Sequence, residues 1–476
     1  MVVVHYINEY DVTLAGFNFE ALADDYWMAQ MLNEAQMILV VSWSDLATRI
    51  VFSLGLALTT ANMKDLLCRS PMHKLHIKPD IEVLFTTRLS TAGMHNIKYI
   101  TQICKKRAIT LENTRGYIKT YSRLMRTIHL AFAVWGAVVI ALYVHANLKA
   151  SVSGCIPKVH PMAGILPSCF IVNFNCYGMN ISGTKDESYR HWEKFDRTAV
   201  VKLRILHCHK FDMPATFQDF HLVEDIRVYN STINTWAEDA AITNIHHSRL
   251  TTLSVIRTNM TNGMLPVGFQ SSNFSSSLLD ICFCETNLQE IPDDIDSKWH
   301  AGSSVYLENS KLTSVPPALV RLQLYYLVLA GNPISEVPPE LFENTGMLYL
   351  ILGRTNISSL PRTVPYPTIS PPFIDVTDTA ISFFWSWIDP LAESMLELGS
   401  PMILASGSTY CSDLEKIMAG QSSNFSASFQ TDFSPLLMDP SEQNWGLLLQ
   451  TVDCSPPLYS TAFPLAVWDN LYRLGQ

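Results

Sequence analysis

Strict alternation of apolar positions, broken at regular intervals by one polar residue, organises the second half of the chain. From residue 281 the order apolar-x-apolar-x-x-(Asn/Ser/Thr)-x-apolar-x-x-apolar-Pro fits Ile281, Phe283, Thr286, Leu288, Ile291 and Pro292. It returns as Val305, Leu307, Ser310, Leu312, Val315, Pro316, then as Leu327, Leu329, Asn332, Ile334, Val337, Pro338, and again as Leu350, Leu352, Thr355, Ile357, Leu360, Pro361. The second apolar positions stand 24, 22 and 23 residues apart. Two apolar side chains separated by one residue share a face of a short strand, so each copy predicts one strand and stacked copies bury what none buries alone. The Asn, Ser or Thr turns the chain and can hydrogen-bond neighbouring backbone, and the closing Pro suits an extended return segment. Asn332, in LVLAGNPISEVPPELF, is the most typical residue at that turn. Fainter copies precede these at Ile226, Val228, Ser231, Ile233 and at Leu253, Val255, Thr258, Met260, with residues 201–208 as a first strand. Their intervals of 27 and 28 residues imply larger loops.

Two apolar runs precede the repeats. Residues 127–148, TIHLAFAVWGAVVIALYVHANL, carry no formal charge over 22 positions. As a helix they would extend about 33 Å, enough for a hydrocarbon layer of about 30 Å, and they predict a transmembrane helix. Residues 37–58 contain Asp45 and Arg49, which share a helix face and can pair; a second spanning helix is expected, with an amphipathic helix at the interface as the alternative.

Charge supports one topology. The chain has a formal charge of −10, but residues 64–126 hold 13 basic and 4 acidic groups, whereas 1–35 hold 6 acidic and no basic groups and 149–476 hold 32 acidic and 19 basic. A basic loop between apolar runs predicts a cytoplasmic 64–126, with its Lys and Arg also available to anionic lipid, and a non-cytoplasmic N-terminus and C-terminal block. The expected location is therefore a membrane, the plasma membrane first, with 149–476 extracellular or luminal. Nucleic acid is not an expected partner, since no zinc spacing or helix-turn-helix pattern accompanies the charge. Residues 1–6 do not form a secretory signal, so targeting falls to a later uncleaved segment or the chain begins inside a longer product.

Acceptor triplets for N-glycosylation occur at Asn180, Asn230, Asn259, Asn273, Asn356 and Asn424, all beyond residue 148. Beyond it too are eight of the ten cysteines, Cys155, Cys169, Cys176, Cys208, Cys282, Cys284, Cys411 and Cys454, an even set of disulfide candidates with open connectivity. Cys155, Cys169 and Cys176 are expected in a juxtamembrane or capping module spanning 149–200, and Cys411 and Cys454 are expected to tie the C-terminal region together. Cys282 and Cys284 lie too close along one strand face to pair with each other, so each would reach another partner.

The four late copies resemble leucine-rich-repeat proteins, and with the apolar runs before them the chain is similar to oomycete leucine-rich-repeat membrane proteins. The resemblance covers 201–362 and implies an α/β solenoid of short parallel strands, here following an α-helical transmembrane region and closed by a divergent cap region over 363–476. Within that cap region, 380–398 reads as a helix interrupted near Pro390. A solenoid of this kind implies a scaffold that binds a protein or other cell-surface ligand on its concave strand face. The chain departs from receptor kinases, having neither a Gly-rich loop nor a His-Arg-Asp motif.

The repeat core is expected at Ile281, Phe283, Val305, Leu307, Leu327, Leu329, Leu350 and Leu352. Side chains between and just after these positions face the concave surface, and Arg227, Tyr229, Arg257, Glu285, Tyr306, Glu308, Asn309 and Arg354 are the candidate ligand contacts, because Tyr and Arg suit protein interfaces. A glycan on Asn230 would obstruct that end of the face. No cofactor, metal site or catalytic motif is expected. His207, Cys208, His209 and the pair His246, His247 lack a four-ligand spacing, and no nucleophile elbow, phosphate loop or zinc-protease helix occurs. Two other readings stay open: a structural component that packs against copies of itself, and a membrane-bound enzyme with its site in the C-terminal region.

Overall fold

The computed structural model describes residues 10–11, 16–17, 50, 52–56, 126–138, 140–141, 144, 152–159, 166–367, 373–396, 403–457 and 461–473. They fall into two compact units, one drawn from residues before 150 and one holding 150–476. The first contains the antiparallel pair β1 (Tyr10–Asp11) and β2 (Gly16–Phe17), and helical residues 52–56 and 126–138.

Here the expected transmembrane region is corrected. Among the described residues no helix is long and apolar enough to cross a membrane. The described helical residues of this stretch are 126–138, 140–141 and 144, whereas crossing needs about 20 apolar residues in one continuous helix. An uncharged stretch measures composition; it does not guarantee helical length. The membrane anchor, the lipid partner, the likeness to a receptor and the plasma-membrane location expected with 149–476 outside all needed such a helix, and the described structure does not support them. The fold class reduces to the solenoid alone, and so does the resemblance to oomycete membrane proteins. The basic loop 64–125 and most of 37–58 lie outside the described residues.

The second unit is built on a twelve-stranded sheet. A short antiparallel strand, β3 (Cys155–Val159), edges β4 (Ser168–Asn175), and β4 then begins an all-parallel series. The series continues through β5 (Lys202–Leu206), β7 (Asp225–Tyr229), β9 (Thr252–Ile256), β11 (Asp280–Cys284), β12 (Ser304–Tyr306), β13 (Tyr326–Val328) and β14 (Tyr349–Ile351). It ends with β15 (Phe373–Asp375), β16 (Ile403–Leu404) and β17 (Val452–Asp453), three strands inside the interval that sequence alone reads as a divergent cap region. Three further short strands, β6 (Phe211–Asp212), β8 (Thr232–Thr235) and β10 (Asn259–Met260), make a second parallel sheet in the return segments of the early repeats.

Register shows why the chain folds this way. Val172, Leu203, Ile226, Leu253, Ile281, Val305, Leu327, Leu350, Ile374, Ile403 and Val452 are successive ladder partners, and all are buried. Two positions on, Phe283, Leu307, Leu329, Leu352, Val376 and Ala405 form a second buried line. These lines run through one continuous core. Two residues after the second line, the chain leaves the sheet through a left-handed residue in every repeat from His207 to Gly407. Gly331 occupies that place where the chain is tightest, since a Cβ there would stand 1.9 Å from Asn309 Oδ1.

One residue further, Ser231, Thr258, Thr286, Ser310, Asn332, Thr355, Thr379 and Ser408 form a buried polar line. Asn332 does most within it. Its Nδ2 donates to the carbonyls of Leu307 at 2.7 Å and Leu329 at 2.8 Å, while its Oδ1 accepts from Leu312 N–H at 3.1 Å. The hydroxyls of Thr355 and Thr379 instead donate to Leu352 and Val376 within their own turn, both at 2.7 Å.

Disulfides fasten both ends. Cys155–Cys169 joins β3 to β4, and Cys176–Cys208 ties α1 (Cys176–Met179) to the first repeat turn. At the far end Cys411–Cys454 links α5 (Thr409–Met418) to the exit of β17. Between these ends lie α2 (Lys185–Trp192), α3 (Pro317–Arg321), α4 (Asp389–Leu396) and α6 (Trp445–Thr451). The interrupted helix expected over 380–398 is described as a 3-10 turn, Ser386–Ile388, running into α4. Cys282 and Cys284, expected in disulfides, are free and buried. Alternation places both on the sheet face opposite the core, where no other cysteine lies within their repeats.

Candidate concave binding face

The outward face of the parallel sheet carries the side chains that alternate with the core lines. Over its first half that face is covered by the end of the chain itself. After β17 and the disulfide at Cys454, residues 461–473 return across the strands and form the short helix α7 (Leu465–Leu471). Phe463, Leu465, Trp468 and Tyr472 bury themselves against Leu206, Tyr229, Ile256, Cys282 and Cys284, in an apolar cluster separate from the main core.

Most sequence-predicted contacts meet this segment. Arg227 pairs with Asp225 at 2.7 Å, donates to the Tyr472 hydroxyl at 3.1 Å and lies 4.9 Å from the Trp468 ring centroid. Tyr229 donates its hydroxyl proton to Asp469 Oδ1 at 2.5 Å. Arg257 grips both oxygens of Asp469, at 2.7 and 2.8 Å, and also pairs with Glu285. Tyr306 meets the edge of Phe463. The fully buried Glu308 accepts the backbone N–H groups of Ala462 at 3.1 Å and Phe463 at 2.8 Å and pairs with Arg354, whose other end reaches Asn309 Oδ1 at 3.3 Å.

The electrostatics follow from these contacts. The Arg257 hydrogen bond holds the Asp469 carboxyl below its ordinary range. Burial raises Tyr229, and donation to Asp469 raises it further. For Glu308, burial pushes the carboxyl up, against the downward pull of the two N–H groups and of Arg354. Burial opposes the charge on Arg227, but Asp225 and Tyr472 outweigh it and hold the guanidinium protonated. The thiols of Cys282 and Cys284 are raised by burial under α7.

The second half of the face is differently built. Tyr326, Tyr349 and Phe373 stand in ladder register on adjacent strands, all half-exposed, with ring centroids 4.5 and 5.0 Å apart. Two residues further along the same strands, at Ile351 and Asp375, a groove of about 990 Å³ opens, lined also by Glu308, Arg354 and Thr377 and closed by Pro456, Pro457, Thr461 and Ala462. Sequence reasoning missed this ladder and missed Asp469, Trp468 and Tyr472. The ladder was readable as three aromatics, each immediately before a first core position.

The six glycosylation acceptors Asn180, Asn230, Asn259, Asn273, Asn356 and Asn424 are all exposed. Asn230 Nδ2 lies 2.9 Å from His207 Nδ1, a contact that a glycan would displace. Among the described residues no cluster of three or more His, Cys, Asp or Glu side chains could hold a metal ion. Cys208 is held in its disulfide, and His247 is a core residue stacked on Phe217 at 4.2 Å.

These features define a solenoid of parallel strands with a leucine-rich-repeat-like architecture, a conclusion that rests on the strand register and its buried lines. No protein-family model and no curated protein sequence matches the chain. Among solved structures it is similar to a leucine-rich-repeat protein of Leptospira interrogans, at 14% identity and a TM-score of 0.36, over 48% of this chain and 53% of that one. It is also similar to InlP of Listeria monocytogenes, at 13% identity and a TM-score of 0.35, over 50% of this chain and 60% of that one. The chain thus spans little more than half the length of these proteins, and likeness at this level carries nothing about function.

Proposed function

We propose that this chain is a repeat scaffold that binds a partner protein through the concave face of its parallel sheet, with no membrane anchor in the reading. The observation that carries it is the in-register ladder Tyr326, Tyr349 and Phe373, on strands that also lead into the groove at Ile351 and Asp375. Strand pairing needs none of these side chains, yet half-exposed aromatics in mutual contact, with Arg354 and Asp375 on the same sheet face, are the composition that anchors protein interfaces. Asn309, Arg354 and Tyr306 border this open half and are its contact candidates, together with the ladder.

The test is a selection of displayed twelve-residue peptides on the immobilised protein, with counter-selection on a Tyr326→Ala/Tyr349→Ala variant. Clones that bind the unmodified protein and lose at least tenfold in affinity on the variant support the reading. Enrichment of clones that bind both equally, or no enrichment, refutes it. A second reading, assembly through copies of this chain, is favoured by one observation, that the chain's own C-terminal segment fits the face. Concentration-dependent sedimentation abolished by Arg257→Ala would select it.

A further inference from the structure

We infer that residues 461–473 are a built-in, displaceable ligand of the concave face, and that the covered half of the face is a receptor for a short amphipathic helix with aromatic anchors and one clamped carboxylate. This deepens the concave-face reading and rests on it for its biological meaning; the two share Glu308, but the contacts that carry this inference, at Arg227, Tyr229 and Arg257, lie away from the aromatic ladder.

Four observations converge. The solenoid is complete before the segment begins, because β17 ends at Asp453 and the Cys411–Cys454 disulfide closes the last repeat. The segment's apolar cluster is separate from the main core, as two faces in an interface are, so the repeats do not depend on it for their own packing. Helix α7 has only seven residues and no side-chain N-cap; a helix so short is marginal by itself and depends on the surface it lies on. Finally, its polar contacts have the form of recognition. One carboxylate, Asp469, is held by both arms of Arg257 and by the Tyr229 hydroxyl, and the backbone N–H groups of Ala462 and Phe463 are read by Glu308. Bidentate gripping of a carboxylate fixes orientation as well as affinity.

A ligand for this half must therefore present a Trp-Asp pair on one helical face, with a Tyr four residues after the Trp, and its apparent affinity is lowered by the fraction of molecules in which the resident segment is seated. Loosening the segment raises that affinity without altering the receptor residues.

The experiment uses the full chain and a fluorescein-labelled peptide of residues 461–476, TAFPLAVWDNLYRLGQ, followed by anisotropy. The expected result is at least tenfold tighter binding to the Trp468→Ala/Asp469→Ala chain than to the unmodified chain, and loss of that binding when Arg257→Ala is added or when the peptide carries the Asp→Ala change. Equal affinity for both chains, no binding to either, or binding indifferent to Arg257→Ala would overturn the inference and make the segment a fixed part of the fold. If the double variant does not fold, hydrogen exchange on the unmodified chain decides: amides of 465–472 should exchange at least a hundredfold faster than those of 327–329, and equal protection overturns the inference. Failure here leaves the peptide selection on Tyr326 and Tyr349 untouched, and failure of that selection leaves this exchange experiment untouched.

Discussion

Replacing Trp468 by Ala separates a detachable segment from an integral one. The indole is 6% exposed, packs 5.2 Å from the Phe463 ring and 5.5 Å from that of Tyr472, and lies under the Arg227 guanidinium. Truncating a buried Trp costs about 3–5 kcal/mol, a sum that already includes a cation–π contribution of about 0.5–2 kcal/mol. Opposing closure of the segment is the ordering of its backbone, about 1–2 kcal/mol per residue, so the net free energy holding it down is a small difference that loss of the main anchor exceeds. A loss of about 3 kcal/mol opens the segment more than a hundredfold more often. Amide exchange and maleimide labelling report this directly, because opening exposes Cys282 and Cys284, now 4% and 0% exposed. The expected outcome in Trp468→Ala is a hundredfold or greater loss of protection over 465–472, rapid labelling of both thiols, and unchanged protection over 327–329. Leu329→Ala provides the contrast, since it cuts into the shared core and should cost the whole solenoid about 2–5 kcal/mol. If Trp468→Ala lowers the urea midpoint as much as Leu329→Ala, with strand and segment amides losing protection together and the thiols silent until global unfolding, then the segment belongs to the core and the reasoning fails.

Two further outcomes test the fold that presents the face. Asn332→Ala strips partners from the buried carbonyls of Leu307 and Leu329 and from Leu312 N–H, and at about 1–3 kcal/mol for each unsatisfied group it should destabilise the chain by about 3 kcal/mol or more in urea unfolding; a loss near zero would mean water replaces all three bonds. His247 is fully buried, with its Nδ1 accepting from Thr243 N–H and its Nε2–H donating to the Phe217 carbonyl, and burial lowers its pKa to about 4. Since the folded-state value lies below the unfolded one, the neutral ring's contribution is complete above about pH 6.5 and is lost as pH falls toward 4, a drop of roughly 3 kcal/mol. Urea midpoints measured from pH 7 to pH 4 should fall more steeply for the unmodified chain than for His247→Gln; parallel curves would show that other groups set the acid sensitivity.

Legibility of the chain depends on what each signal measures. The four late repeats are visible because Leu, Ile and Val alternate at fixed spacing before a Pro. Ile374, Val376, Thr379 and Ile381 obey the same order and form the next rung, but Trp385 stands where the earlier copies have Pro, so a pattern that demands Pro stops one repeat early. The rung after it fills the second core position with Ala405 and the later one with Tyr410, both buried and both outside the aliphatic class that defines the search. The physical requirement is volume against a core line, which Ala and Tyr meet when their neighbours compensate. An uncharged run at 127–148 reports apolar composition, and it pointed to a membrane that no described helix is long and apolar enough to cross.

Alternation places Arg227, Tyr229 and Arg257 on the sheet face, but it contains nothing about what meets them there. The covering segment did leave a trace, with Leu465, Trp468 and Tyr472 spaced along one helical face and Asp469 beside them. Seven residues are too few for such spacing to stand out from chance. A face that reads as free in sequence is thus half engaged in the fold, and residues that bind the segment cannot at the same time bind a partner. It follows that Arg257→Ala would act in two directions on any ligand of the covered half: it frees the surface from Asp469 and removes the clamp the ligand itself would use. Only substitutions on the segment side, at Trp468 or Asp469, separate those two effects, and affinity on this half of the face is interpretable only when measured against them.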